Sequence, residues 1–489
     1  MIGSPPPPPE MRDRERERRV HRGAIPVAVL AAAILPGATA GLNVVVVAVA
    51  LGSVAAWARR EDLNGWSYVS GGSAVLLAAM FAVHTSEWVL TVDLIVAGGL
   101  GVVALSRATS WTGVLIRPPA MLLTLHRGLG HTLGPLTAPL RPGQGRSLEP
   151  AVRGAFLALF LVSLFGGLFV SADPAFGRIA HDVLLPDWDL SLLPARVMVG
   201  CIVLALAGAY VLVPVEGPTT VTGTHRGRGI GRIELAIALG ALDLLFIAFV
   251  TFQIAVLFGG RGYVLSTAGL TYAEYARQGF FQLVAVAALA LGVIAATLWL
   301  RDSDEPADRT LVRGLLGILC VGTLVVLASA FIRLTVYEEA YGFTRLRLAV
   351  HATIVWLAIL FVLVMVAGAI WDGRWLPRAV VLSALAVLLP LNLLSPDAFV
   401  AERNLVRYEA TGRFDAGYAA TLGAEAVPVL LRLPEPLRAC AVEPIRARLA
   451  RRPSSWISFN LAEARARDAL AHQEVDGSGG SIPASCYDW

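Results

Sequence analysis

The sequence predicts an all-α fold: a polytopic transmembrane helical bundle followed by a small C-terminal helical domain. Of its 489 residues, 56% are hydrophobic and only 16% are charged, and the mean hydropathy is +0.67. A composition this apolar excludes an ordinary soluble globular protein and is typical of membrane proteins. Apolar runs also recur along most of the chain, and about twenty apolar residues are enough to cross a bilayer core.

These runs predict about eleven crossings. The predicted spans are 24–38, 42–58, 68–84, 88–106, 154–171, 195–213, 232–258, 272–300, 311–332, 348–370 and 379–394. The corresponding regions are a disordered cytoplasmic N-terminus (1–23), a first transmembrane group (24–106), a basic cytoplasmic interfacial loop (107–153), the main transmembrane domain with interfacial segments (154–394) and an extracytoplasmic helical domain (395–489).

Charge predicts the orientation. All the basic residues other than histidine are arginines, and the formal net charge is +4. Arginines concentrate in alternate loops, which the positive-inside rule places in the cytoplasm together with the N-terminus. We therefore expect a multi-pass protein of the bacterial cytoplasmic membrane. The same distribution explains the basic charge without a nucleic-acid partner.

Two acids lie inside predicted spans. Asp243 falls roughly 16 Å into its helix, near the bilayer midplane, and Asp93 is shallower. An ionised carboxylate at such depth is costly, so it marks a candidate functional site. The alternative is that these side chains are protonated or hydrogen-bond a neighbouring helix as packing groups.

A second candidate site gathers charged and aromatic residues on the outer side. Around Gly342, which we expect to break a helix, the spacing predicts that Arg333 stacks on Tyr337 and Arg345 on Tyr341, with Glu338 and Glu339 as partners of the arginines. The site is either a structural ion-pair network or a pocket for an anionic ligand. Its predicted members are Tyr272, Glu274, Tyr275, Arg277, Arg333, Tyr337, Glu338, Glu339, Tyr341, Arg345, Arg347, Asp397 and Arg403.

The cysteines and histidines predict no metal site. Cys440 and Cys486 lie in the tail, where we expect a disulfide if the tail is outside the cytoplasm. His84 and His351 are isolated in the sequence, and no Cys/His ligand spacing or cofactor-binding motif occurs. We therefore expect neither a metal nor a cofactor.

Four ordered motifs carry a family resemblance. They are FVTFQIAVLFGG from residue 249, TYAEYARQGFF from 271, VYEEAYGFTRLRL from 336 and NLLSPDAFVAERN from 392. They resemble the bacterial multi-pass membrane family of unknown function of the DUF 4173 or DUF 4153 type. The resemblance implies a polytopic membrane protein and assigns no activity and no catalytic residue.

The functional prediction therefore stays broad. The leading hypothesis is a non-enzymatic protein that binds or transports an envelope-related solute, with the bilayer and an anionic small molecule as partners. The alternatives are a membrane enzyme acting on a lipid-linked or phosphate-bearing substrate, with Glu338, Glu339 or Glu274 as acid or base, and a membrane scaffold or sensor partner. The sequence leaves the oligomeric state open.

Overall fold

The computed structural model describes residues 9–125, 193–212, 236–237, 239–251, 280–300, 306–452 and 455–475, which are helices joined by short turns without any strand. The predicted all-α fold class is thus confirmed for this part of the chain. The chain divides into two compact units. Unit 1 comprises Met1–Pro218 and Arg448–Asp468, and unit 2 comprises Thr219–Ala447 and Ala469–Trp489.

Unit 1 contains two packed groups of helices. Its helices are α1 (Pro9–Ile34), α2 (Leu42–Ala58), α3 (Gly65–Ala79), α4 (Glu87–Ser106), α5 (Arg117–Leu122) and α6 (Leu193–Leu212). Helix α1 packs against α2 and α6, and α3 packs against α4. Small residues line the first contact, because Ala24, Ala28 and Ala31 of α1 are buried there.

Unit 2 contains the apolar helices around the candidate sites. They are α7 (Leu239–Thr251), α8 (Phe280–Leu300), α9 (Pro306–Tyr341), α10 (Arg345–Ile370), α11 (Leu376–Leu393), α12 (Pro396–Thr411), α13 (Ala416–Ala420) and α14 (Val427–Leu430). Helix α9 packs against α8 and α10, and α10 packs against α11. The unit boundaries fall inside the last two helices, α15 (Leu437–Ala450) and α16 (Leu461–Val475).

Five helical segments of the described residues are long and apolar enough to cross a membrane: Gly65–Ala82, Glu87–Ser106, Arg309–Tyr341, Arg345–Ile370 and Leu376–Leu393. Each coincides with a predicted span. Four shorter apolar helices, Leu42–Ala58, Ala195–Tyr210, Leu239–Thr251 and Leu283–Leu298, fall within four more. The predicted span 24–38 overlaps α1 but is not among these apolar segments, and the predicted span 154–171 lies outside the described residues, so the count of about eleven stays a prediction.

The N-terminal segment differs from the expectation. We expected residues 1–23 to be disordered, whereas α1 is already helical from Pro9. Arginine and glutamate are good helix formers, and their alternation places opposite charges three residues apart, as in Arg12 and Glu15 or Glu15 and Arg18. Proline is tolerated in the first helical turn. The charged segment that begins at Pro9 can therefore be helical and continuous with the apolar part of α1.

The hairpin of α9 and α10 reverses at Gly342, as predicted. Its φ is +84°, a left-handed conformation that costs glycine little. The Gly342 N–H donates to the Glu338 carbonyl at 2.7 Å, which closes the last turn of α9. Thr344 then begins α10 by accepting a hydrogen bond from the Arg347 N–H on its side-chain oxygen. The turn places the end of α9 beside the start of α10.

Candidate functional site

Asp243 lies on the buried face of α7. Leu239, Asp243 and Phe246 are spaced i, i+4 and i+7, so they share one side of the helix, and all three are buried. Phe246 packs against Gly322 of α9, where an added Cβ would meet its ring at 3.3 Å. Asp243 thereby lies close enough to Cys320 of α9 for a Coulombic interaction.

The Asp243 carboxylate has no hydrogen-bond partner among the described residues. Its side chain is 4% exposed, and neither oxygen accepts or donates a hydrogen bond there. Burial of an unpaired carboxylate disfavours its charged form strongly. The second intramembrane acid, Asp93 of α4, is also fully buried, but it interacts with neighbouring groups. Asp243 is therefore the stronger candidate for a proton or cation site.

Glu338 and His351 form a close pair across the α9–α10 hairpin. His351 Nδ1 lies 3.2 Å from Glu338 Oε1, and the Glu338 side chain is 1% exposed. The direction of approach does not meet the geometry of a hydrogen bond. The Phe331 ring contacts the imidazole edge-on, with the ring centroids 4.6 Å apart. His351 is isolated in the sequence, but the hairpin brings it to α9.

The acid that pairs with Arg345 is Asp397, and neither Glu338 nor Glu339 does so. Arg345 Nε donates to Asp397 Oδ1 at 2.7 Å, and its Nη2 donates to Oδ2 at 2.5 Å. Asp397 is fully buried at the start of α12. Its carboxylate also accepts the Gly423 N–H at 2.6 Å. The sequence could not reveal this pair, because 52 positions separate its members.

Tyr418 adds a further contact to Arg345. Its hydroxyl accepts the backbone N–H of Arg345 at 2.7 Å. Burial raises the pKa of the Tyr418 phenol, so the hydroxyl stays protonated and can still donate. The carboxylate of Glu425 is also buried here and accepts the Asp397 N–H at 3.4 Å. These contacts attach the segment after α12 to the first turn of α10.

Two further residues of α12, Asn404 and Arg407, hold the hairpin turn. The Asn404 side chain accepts the Phe343 N–H at 2.7 Å and donates to the Phe343 carbonyl at 2.9 Å. Arg407 donates to the carbonyls of Glu339 at 3.1 Å and Ala340 at 2.7 Å. They satisfy carbonyls that the end of α9 leaves without helical partners. The motif NLVRYE contains both, but helix periodicity gives no reason to single them out.

The arginine–aromatic contacts also differ from those predicted. Arg347 lies over the Tyr337 ring, with its guanidinium carbon 4.1 Å from the ring centroid, and the expected stack of Arg333 on Tyr337 stays a prediction. The Tyr337 and Tyr341 rings contact each other at 5.0 Å. The break expected at Gly342 separates Tyr341, the last residue of α9, from Arg345, the first residue of α10, so these two residues do not have helical i, i+4 geometry.

Arg403 occupies a separate aromatic site on α12. Its guanidinium carbon lies 5.5 Å from the Phe343 centroid and 5.4 Å from the Phe399 centroid. The structure thus brings together most of the described members of the predicted outer cluster. Tyr272, Glu274, Tyr275 and Arg277 lie outside the described residues.

Cys440 is disulfide-bonded, whereas Cys201 and Cys320 are free thiols. Cys486 lies outside the described residues, so its pairing with Cys440 stays a prediction. No group of His, Cys, Asp or Glu residues within the described ranges is arranged to hold a metal ion.

A family model for a domain of unknown function, DUF4153, matches residues 71–433. The chain belongs to the DUF4153 family. The match includes α4 and all of unit 2 from α7 to α14, and with them the buried acids and the α9–α10 hairpin. It confirms the type of family expected from the four motifs. Searches of curated proteins and of solved structures gave no match.

Proposed function

We propose that this DUF4153 protein binds or transports a solute across the membrane, with Asp243 as its proton or cation site. The observation that carries the proposal is the Asp243 carboxylate, which is buried in an apolar helix and has no hydrogen-bond partner among the described residues. A group in this environment gains or loses its charge only with a proton or a cation. Such acids are typical of ion and proton pathways in membrane proteins.

The neighbourhood of Asp243 supports a functional site over a packing contact. A packing acid gives stability by hydrogen-bonding an adjacent helix, and the described neighbours of Asp243 supply no such bond. Those on the same face of α7, Leu239 and Phe246, are apolar and buried. Replacing Asp243 by an apolar residue would improve this packing. The buried acid therefore lowers the stability of the fold and makes no described contact that offsets this loss.

The proposal is tested by proton flux in reconstituted vesicles that contain a trapped pH-sensitive dye. We expect the wild type to move protons under an imposed potential and Asp243→Asn, which keeps the shape and removes the charge, to lose this flux. Asp243→Glu is the matched control and should retain part of it. Equal flux in the wild type and in Asp243→Asn would disprove the proposal, provided that both proteins melt at similar temperatures.

A membrane enzyme is the second candidate, and the Glu338–His351 pair favours it. A buried carboxylate 3.2 Å from an imidazole nitrogen can hold the ring in one orientation, and a positioned imidazole can act as a general base. The two functions separate by mutation. An enzyme predicts that Glu338→Gln abolishes activity while Asp243→Asn is tolerated, and a transporter predicts the reverse.

A further inference from the structure

Three arginines gather at the end of α9 without a carboxylate partner. Arg347 donates to the Gly342 carbonyl, and Arg407 donates to carbonyls of α9 and, at 3.2 Å, to the Arg413 carbonyl. The Arg413 guanidinium makes no hydrogen bond or ion pair with the described residues. The nearest acids in sequence, Glu339, Glu409 and Asp415, are exposed and make no ion pair with any described arginine.

Arg407 lies close enough to Arg347 and to Arg413 for their positive charges to act on it. Burial lowers the pKa of Arg407, and the charges of Arg413 and Arg347 lower it further. Like charges that share a site without a counter-ion destabilise it. An anion bound among them would remove this repulsion.

Capping of α9 does not account for the whole group. Cations near the C-terminus of a helix interact favourably with its dipole, and this explains the carbonyl contacts of Arg407 and Arg347. It does not explain Arg413, whose side chain binds no carbonyl of the described residues. Arg407 and Arg347 also keep part of their planar donor groups free, because each uses only some of its N–H donors for the carbonyls.

The position of the group fits a phosphate. Arg309–Tyr341 and Arg345–Ile370 are candidate membrane spans, so their shared turn lies at a membrane boundary, where lipid phosphates are found. Guanidinium groups bind phosphate oxygens through strong charge-assisted hydrogen bonds. Next to Arg347, the rings of Tyr337 and Tyr341 form a contiguous aromatic surface, and Tyr341 is exposed.

We propose that Arg347, Arg407 and Arg413 bind the oxyanion of a phosphate group, with Tyr337 and Tyr341 forming the apolar side of the site. The inference rests on the proposed solute-binding function and assigns the chemical group that is recognised. The phosphate belongs either to a lipid headgroup or to a water-soluble phosphate ester, and both present the same oxygens to the arginines.

The test measures the melting temperature of the full-length protein in a phosphate-free maltoside detergent. One arm adds glycerol phosphate, with neutral glycerol as its control, and the other adds phosphatidylglycerol. Arg413→Gln is the test variant, because its side chain holds no structural contact among the described residues. Arg432→Gln is the matched control: it removes the same charge from unit 2, but Arg432 pairs with Glu402 at 2.7 Å.

We expect a phosphate probe to stabilise the wild type, and Arg413→Gln to need about tenfold more probe for the same shift, since one charge-assisted hydrogen bond accounts for a factor of this size. Arg432→Gln should respond like the wild type. If both probes raise the melting temperature, the site binds phosphate esters in general. If phosphatidylglycerol alone raises it, the site binds a lipid headgroup.

Absence of a shift in both arms overturns the inference, and so does an equal loss in Arg413→Gln and Arg432→Gln, which would indicate nonspecific attraction. The assay does not depend on flux. If Arg413→Gln and Arg432→Gln bind the phosphate probe equally while Asp243-dependent flux is intact, only the proposed phosphate site is disproved. If Arg413→Gln alone weakens binding of the probe but no Asp243-dependent flux is seen, the transport function is disproved and the phosphate site is supported.

Discussion

Arg345 and Asp397 are joined by two parallel hydrogen bonds, Nε to Oδ1 at 2.7 Å and Nη2 to Oδ2 at 2.5 Å. This pair connects the first residue of α10 to the first turn of α12. Through the Gly423 N–H it also holds the chain that follows α13. The buried carboxylate is therefore the centre of the contacts that fix the region after α11 to the α9–α10 hairpin.

Removing Asp397 should destabilise the protein strongly. Asp397→Ala leaves the partly buried Arg345 and the Gly423 N–H without their acceptor, and loss of one partner of a buried pair costs about 3–5 kcal/mol. Glu402→Ala breaks the more exposed pair with Arg432 and should cost about 1 kcal/mol or less. Melting temperatures in detergent compare the two. Equal losses would mean that the Asp397 contacts are not formed in solution.

Gly342 should tolerate a side chain less well than Gly412. Both have positive φ, +84° and +69°, so alanine is strained at either position by about 1 kcal/mol. At Gly342 an added Cβ would also meet Asn404 Oδ1 at 2.9 Å, whereas at Gly412 it meets nothing within 4 Å. We expect Gly342→Ala to lower the melting temperature about twice as much. Similar effects would argue against the Asn404 contact.

Glu338 and His351 should be energetically coupled. A double-mutant cycle with Glu338→Gln and His351→Phe tests this, because phenylalanine keeps a ring for Phe331 to contact. Residues in direct contact typically show coupling energies of about 0.5–3 kcal/mol. Thermal unfolding of the four proteins gives the coupling. Additive effects would show that the two side chains do not interact in the native protein.

The structure also predicts which loops share a side of the membrane. In unit 1, the Asn43 N–H donates to the Ile457 carbonyl at 2.8 Å, and the Asn460 side chain donates to the carbonyls of Phe81 and His84 at 2.9 and 2.7 Å. In unit 2, α12 contacts the α9–α10 turn. From Pro396 to Val475, the described residues contain no helix that is long and apolar enough to cross a membrane.

Single cysteines introduced at Ala38, Glu87 and Thr411 should therefore react alike with an impermeant maleimide on intact cells. Their reaction without lysis is expected if the N-terminus is cytoplasmic. Asp372→Cys, at the opposite end of α10, is the control and should react only after lysis. A divided result among the first three would contradict the contacts between the C-terminal region and these loops. The protein without an added cysteine is labelled in parallel, so that any reaction of native cysteines such as Cys440 can be subtracted.

Local signals were enough to predict the helices and the break at Gly342. Apolar length determines where a helix can cross a bilayer, and glycine is the residue that reverses a hairpin at little cost. The burial of Asp243 agrees with its place in an apolar run, and its depth in the bilayer stays a prediction. The pairings within the site were not predictable in this way, since the hairpin and α12 bring together residues that are far apart in sequence.

His351 illustrates the limit. A histidine in an apolar run signals that something must pair with it, but the sequence does not say that Glu338 does so. The expected stack of Arg345 on Tyr341 failed for the related reason that i, i+4 spacing holds only within one helix, and the turn at Gly342 separates these two residues. Arg347 reaches Tyr337 because the chain reverses between them.

The central claim is that Asp243 exchanges a proton or a cation inside the apolar bundle. Dicyclohexylcarbodiimide, an apolar reagent that modifies protonated carboxyl groups, tests this directly when the modified peptide is quantified by mass spectrometry. The account predicts modification of Asp243 that slows as the pH is raised and is absent in Asp243→Asn. No modification at any pH, or a rate that does not change with pH, would contradict it.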